Sequence, residues 1–138
     1  MAAKFHLEVL ASDRVFYNGP CESVTIPALD GELGVLAGHS ELVTAIDPGM
    51  LRFQVPGEQQ QRIGAVGAGF AHVNGDRVWV LVETAERPEE IDEARARRAY
   101  EQAQEELRQR KGMQEYRLTQ ANLARAMNRL KVKRGERF

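Results

Sequence analysis

The chain has 138 residues and a mass of 15.5 kDa, with 43% hydrophobic and 28% charged residues, which suits one compact domain or a small domain with an appendage and excludes a large multidomain enzyme. Nineteen Lys and Arg against twenty Asp and Glu leave a formal charge of -1, so the molecule carries no bulk basic field for gripping nucleic acid. The single cysteine, Cys21, permits no internal disulfide and supplies too few thiolates for a structural zinc site, which points to a reducing compartment and implies no metal. With no run near the length of a membrane span and no apolar signal core at the N-terminus, the expectation is a cytosolic protein or one attached to a membrane only through a partner.

Two parts of the chain obey different rules, with the change close to Pro88. Residues 1–87 hold six bases against eleven acids, a net of -5, and residues 88–138 hold thirteen against nine, a net of +4. Beyond the boundary the only glycines and prolines are Pro88, Gly112 and Gly135.

The first part reads as short strands. Phe5, Leu7 and Val9 alternate with His6 and Glu8, and apolar runs follow at Val24–Ile26, Leu42–Ile46, Leu51–Val55 and Val78–Val82. Turn signals punctuate them at Asn18-Gly19-Pro20, Asp30-Gly31, Pro48-Gly49, Pro56-Gly57 and Asn74-Gly75-Asp76, with Asn74-Gly75 the clearest hairpin. Many short strands at near-regular spacing predict an antiparallel β-sandwich or flattened barrel over residues 1–87, with Phe53, Phe70, Trp79 and the valines as its core.

Beyond Pro88 the composition turns to Ala, Glu, Arg, Gln and Leu. The spacing predicts one helix from Pro88-Glu89-Glu90 to about Arg110, a break at Lys111-Gly112, and a second helix from Met113 to Val132 with a fraying basic tail over 131–138. Ala96, Ala99, Tyr100, Ala103 and Leu107 share one face of the first helix, and Tyr116, Leu123, Met127 and Leu130 one face of the second. An alanine-rich seam permits close approach but buries little, at about 0.8 kcal/mol per methylene-sized group, so this helical hairpin is expected to be marginal alone and able to leave its partner surface.

If the turn centres on Gly112, antiparallel neighbours have residue numbers summing to about 223, which sets Arg95 near Arg129, with Arg125 about one turn away. Three converging guanidinium groups suit a polyphosphate, whose oxygens match their forks. Asp92 and Glu86 nearby suit either neutralising the cluster or accepting hydrogen bonds from a sugar or base. The same charges equally suit a solvated salt-bridge network, and Asp92 with Arg95 is also an ordinary helix-surface pair.

The stretch Gly31-Glu32-Leu33-Gly34-Val35-Leu36-Ala37-Gly38-His39 lacks the G-x-x-x-x-G-K-[ST] pattern of a phosphate loop. It reads as a bend between strands offering Glu32 and backbone to a partner. His39, Ser40 and Glu32 make no triad, lacking a G-x-S-x-G elbow and an evident orienting acid. The basic end, Lys131, Lys133, Arg134 and Arg137, lacks the interleaved aromatics of a nucleic-acid site and suits solvent or an acidic protein surface.

With these features assembled, the chain closely resembles the bacterial ε subunit family of the rotary F-type ATP synthase over essentially its full length. The residues that carry the likeness are Gly31–His39 continuing through Leu42-Val43-Thr44, then Gly67–Val73, Thr84–Arg87 and Leu123–Leu130. The resemblance implies a non-catalytic rotor subunit at the cytoplasmic face of the bacterial cell membrane, with no membrane span of its own. Its β-sandwich would bind the γ subunit and the c ring, with Glu32, Gly34 and His39 by the polar loops of the ring. Its hairpin would either fold down or extend into the catalytic head, contact the α and β subunits and block ATP hydrolysis, with Arg125, Arg129, Lys131, Lys133 and Arg134 meeting acidic surface of β.

Some members bind ATP in the folded-down state through a motif I/L-D-x-x-R-A, and here Ile91-Asp92-Glu93-Ala94-Arg95-Ala96 matches it. The resemblance thereby implies a regulatory ATP site at Glu86, Ile91, Asp92, Arg95, Ala96, Arg125 and Arg129, with any magnesium requirement open. Ala37, where many relatives carry proline, and the basic end beyond Leu130 depart from the family pattern. A free-standing nucleotide-sensing module is the alternative function, and copurification with γ separates the two; a hydrolase using His39, Ser40 or Glu32 is a weaker rival.

Overall fold

Apolar-polar alternation becomes a run of strands in a computed structural model that describes residues 3–108 and 113–135, the backbone alone over 113–116. The strands are β1 (Phe5–Ala11), β2 (Val15–Cys21), β3 (Ser23–Ala28), β4 (Gly31–Leu36), β5 (His39–Ile46), β6 (Gly49–Gln54), β7 (Arg62–Val66), β8 (Gly69–Gly75), β9 (Arg77–Val82) and β10 (Ala85–Glu86). Their order across the sheet is β10-β7-β6-β3-β5-β8-β9-β1-β2, with β4 paired to β3 beside this path. The pairings are antiparallel except β1 with β9, which run parallel with Leu7 opposite Val78.

The two ends of that order curl toward each other. Phe16 of β2 meets Phe53 of β6 edge to face at 6.4 Å, and the Arg14 guanidinium donates to the Ala85 carbonyl of β10. The guanidinium groups of Arg14 and Arg87 both lie over the Phe16 ring, at 5.6 and 5.2 Å, and Arg87 also donates to the Phe16 carbonyl. Inside this near-closed sandwich lie Leu7, Val9, Ile26, Leu51, Phe53, Val73 and Val80, all essentially fully buried. Cys21 is buried with them; its thiol donates to the Ser23 carbonyl, and burial pushes its pKa up to about 11.

Several expectations change. Asn18-Gly19-Pro20 is strand rather than turn: it belongs to β2, which among the described residues pairs only with β1, and a proline that cannot donate is tolerated on such an edge. Phe70 and Trp79 are not core. Ala71 and Val73 of β8 and Val78 and Val80 of β9 take the inward positions, so period-two alternation turns Phe70 out, at 47% exposure, and stacks Trp79 on His72. The stretch 31–38 is mostly β4 itself, hairpinned onto β3 with Glu32 opposite Pro27 and Gly34 opposite Thr25; the bend is confined to Ala37-Gly38. The 74–76 hairpin has Asn74 opposite Arg77, with Gly75 at φ +61 in its loop.

The chain divides into two compact units, residues 1–87 and 88–138. In the second, Pro88–Glu90 forms a 3-10 turn and α1 starts only at Glu93, running to Arg108, with α2 over Met113–Arg134. The later start has a cause: Asp92 Oδ1 accepts the backbone N–H of Arg95 at 3.1 Å, the geometry of an N-cap. Lys131, Lys133 and Arg134 lie inside α2 rather than in a frayed tail. The expected break at Lys111-Gly112 and the side chain of Tyr116 lie outside the described residues. α1 and α2 run antiparallel, with Thr119 donating to Glu106 at 3.3 Å and Arg134 Nε 3.9 Å from Glu93. Ala96, Ala103, Thr119 and Ala126 are buried. Ala99 is exposed and so is Met127, at 40%, because the buried stripes centre on Ala96–Ala103 and Thr119–Ala126 and leave both at the margins.

Candidate functional site: a sheet face and a helical flank

The expected site residues fall into two places. On the β unit, Glu32, Gly34 and Leu36 alternate to the outer face of β4 while Val35 points into the core. β4 pairs only with β3, so among the described residues its second edge is open. Glu32 Oε2 accepts Arg52 Nη2 at 2.6 Å. Arg52 sits on β6 opposite Thr25, which is itself opposite Gly34, so its side chain crosses over β3 to reach the carboxylate. Arg52 escapes a reading of the sequence because its alternation between buried Leu51 and Phe53 marks it as outward-facing but gives no register across three strands.

A Cβ built at Gly34 meets no atom within 4 Å, and the residue is not among those with positive φ. Among the described residues, neither a close contact at Cβ nor a positive φ requires glycine there. His39 begins β5, and its Nδ1 donates to the Ser40 backbone carbonyl at 2.8 Å.

On the helical unit, Ile91 is buried, with its N–H bonded to the Pro88 carbonyl, and Ala96 is fully buried in the α1–α2 seam. Arg95 is exposed and Arg125 and Arg129 half-buried. Helix geometry relates the three. At about 100° per residue, Arg95 lies about 100° to one rotational side of Ala96, while Arg125 and Arg129 lie about 100° and 60° to the same side of Ala126. Because the helices are antiparallel, equal rotational senses turn all three to one flank, with Glu93 and Arg134 on the other.

The pairs Glu106–Thr119 and Glu93–Arg134 have residue numbers summing to 225 and 227. Lys131 is thus level with Arg95; Arg129 is displaced along the axis by about 3 Å and Arg125 by about 9 Å at 1.5 Å per residue. Arg125 donates to Asn122 within its own helix, and Lys133 donates to the Pro88 carbonyl at 3.2 Å. Glu86 belongs to the other unit, in β10, paired opposite Ala65. A flank of guanidinium groups beside a capped helix start is suited to oxygen anions. No helix among the described residues is long and apolar enough to cross a membrane.

Comparison with known proteins accounts for both units. Residues 4–88 match the ATP synthase Delta/Epsilon chain beta-sandwich domain and residues 89–134 the Delta/Epsilon chain long alpha-helix domain. The chain is 40% identical over 130 residues to the ATP synthase epsilon chain of Caldicellulosiruptor saccharolyticus, covering 94% of this chain and 93% of that one. To the epsilon chain of Ruminiclostridium cellulolyticum it is 44% identical over 128 residues, covering 93% and 94%. Among solved structures, a chain of the Euglena gracilis mitochondrial ATP synthase superposes with a TM-score of 0.82 at 28% identity, covering 93% of this chain and 80% of that one. With both domains matched in order along nearly its whole length, the chain belongs to the ATP synthase epsilon chain family, a non-catalytic subunit.

Proposed function

We propose that this chain is a central-stalk subunit whose β unit joins γ to the c ring and whose helical hairpin regulates ATP hydrolysis. In this reading the outer face of β4, with Glu32 and Gly34, and His39 at the start of β5 lie against the polar loops of the c ring. The hairpin takes two states. Compact, it holds ATP as a regulatory ligand through Ile91, Asp92, Arg95, Ala96, Arg125 and Arg129. Extended, it reaches the α and β subunits, where Arg125, Arg129, Lys131, Lys133 and Arg134 meet acidic surface and hydrolysis is blocked. The complex would hold the chain peripherally at the cytoplasmic face of the cell membrane.

The observation that carries the regulatory part is the composition of the hairpin seam. Besides Ile91 and Val132, the buried side chains of the helical unit among the described residues are Ala96, Ala103, Ala126, Thr119 and Asn128, so most of its buried positions contribute little apolar area to oppose separation. A ligand that binds only the compact state shifts such an equilibrium by its differential affinity. The test is calorimetric titration of the full chain with ATP, with and without magnesium, with compaction followed by small-angle scattering. Saturable binding accompanied by compaction is expected. No binding up to millimolar ATP would remove the nucleotide site and leave the hairpin under the control of γ, β and rotary state.

A further inference from the structure

The Glu32 carboxylate stands in a defined place because a residue two strands away holds it. Arg52 is largely buried, its side chain 15% exposed, whereas Glu32 is 47% exposed, and Nη2 of the first meets Oε2 of the second at 2.6 Å. One carboxylate oxygen is thus engaged from within the sheet. Among the described residues Oε1 has no partner in the chain, which leaves it as an acceptor on a half-exposed side chain held by its other oxygen. Two residues along β4 on the same face lies Gly34, where a Cβ would meet no described atom within 4 Å. Glycine in a strand interior weakens the strand, and one without an internal cause marks a place where another backbone or ligand comes close. Leu36, at 65% exposure, lies on the same face of β4, and Leu29, at 61%, is exposed in the turn that leads into it. The chemistry of this face is therefore a single held acceptor beside bare backbone, with exposed apolar side chains nearby.

We propose that Arg52 is a positioning residue for docking. It fixes Glu32 over β4 so that Oε1 accepts a hydrogen bond from a donor on a polar loop of the c ring, while the loop packs directly on the backbone at Gly34. This rests on the reading that the β4 face meets the ring, and it adds a residue to that face, a partner chemistry and a reason for the glycine. Arg rather than Lys is suited to the task, because its planar fork, braced along β6, sets direction as well as charge.

The experiment is binding of the full-length chain to an isolated complex of γ and the c ring stripped of its own copy, immobilised in nanodiscs. Thermal melts of each free variant are recorded alongside. Glu32→Gln and Arg52→Gln are each expected to weaken binding about tenfold, on the scale of one charge-assisted hydrogen bond. The double variant should bind no more than about twofold worse than Glu32→Gln alone, since the two residues act as one unit. Arg52→Lys, which keeps the charge and most of the stem, should recover part of the loss. Gly34→Val should weaken binding at least as much with no fall in the melting temperature, an outcome that a purely structural role for the strand does not produce.

If Glu32→Gln weakens binding and Arg52→Gln does not, or if their effects simply multiply, the positioning role is overturned while the docking face stands. If Glu32→Gln and Gly34→Val both bind like the parent chain, the docking face itself is wrong and the proposal falls with it. Should Arg52→Gln fail to fold, the comparison of Arg52→Lys with Glu32→Gln decides the same question.

Discussion

At Asp92 two demands meet. Its Oδ1 already accepts the Arg95 N–H and so opens α1, while the motif it belongs to suggests a nucleotide. We expect its contribution to ligand binding to run through the cap that orients Arg95. Asp92→Ala should then destabilise the helical unit by about 1 kcal/mol and lose ATP affinity, whereas Asp92→Ser, which still caps, should keep both; melting and calorimetry on the pair decide it. Arg95→Ala and Arg125→Ala should abolish ATP binding while leaving the β-unit near-ultraviolet spectrum unchanged, and unchanged affinity in both would remove the arginine flank as the site. Gly69 contrasts with Gly34: a Cβ there would lie 1.9 Å from the Leu81 carbonyl oxygen. Gly69→Ala should therefore cost about 1–3 kcal/mol in denaturant unfolding as strands β8 and β9 are forced apart. Cys21 sets an alkaline limit. Its folded pKa is raised to about 11 from 9.0, so above pH 9 the unfolded chain releases the thiol proton while the folded chain retains it. Stability thus falls as pH rises through that window, by up to about 3 kcal/mol. Urea midpoints from pH 8 to 11 should fall less steeply in Cys21→Ala.

At the scale of elements, the strands were legible wherever one face is core, because alternation at Phe5–Val9 and Val78–Val82 reports burial directly. It failed where small residues took the inward places. In β8 Ala71 and Val73 are inside and the larger Phe70 outside, and size alone points the wrong way. Turn residues misled on edges: Pro20 and the glycines of β4 sit in strands that, among the described residues, have no neighbour on one side, where a missing donor or side chain is tolerated. The arginine flank was approachable because a hairpin needs only a turn position, and an error of two to four residues in register leaves the flank unchanged. The Arg52–Glu32 contact was not, since it depends on two strand registers at once. The helices also differ from the sheet in what holds them. With an alanine seam, the amides of α1 and α2 should exchange hydrogen well before those of β3, β6 and β8, and ATP should slow the helical set alone. Equal protection in both units without ligand would contradict a detachable hairpin.

For the whole molecule, the division at Arg87 separates a near-closed sandwich from a helical unit, the arm that the proposed function makes regulatory. Removing residues 88–138 should leave the β unit folded and incorporated in the assembled synthase while ATP hydrolysis rises, measured on stripped and reconstituted complexes; unchanged hydrolysis would deny the arm an inhibitory role. The stacking of Arg14 and Arg87 on Phe16 then acquires a mechanical meaning. It clasps the two ends of the strand order across one ring, Arg14 beside β2 from one end and Arg87 just after β10 from the other, so load applied at the end of the β unit is shared with the whole sheet instead of peeling off its shortest strand. Phe16→Ala should unzip that clasp, lowering the denaturant midpoint of the β unit while the melt of the helical unit stays where it was.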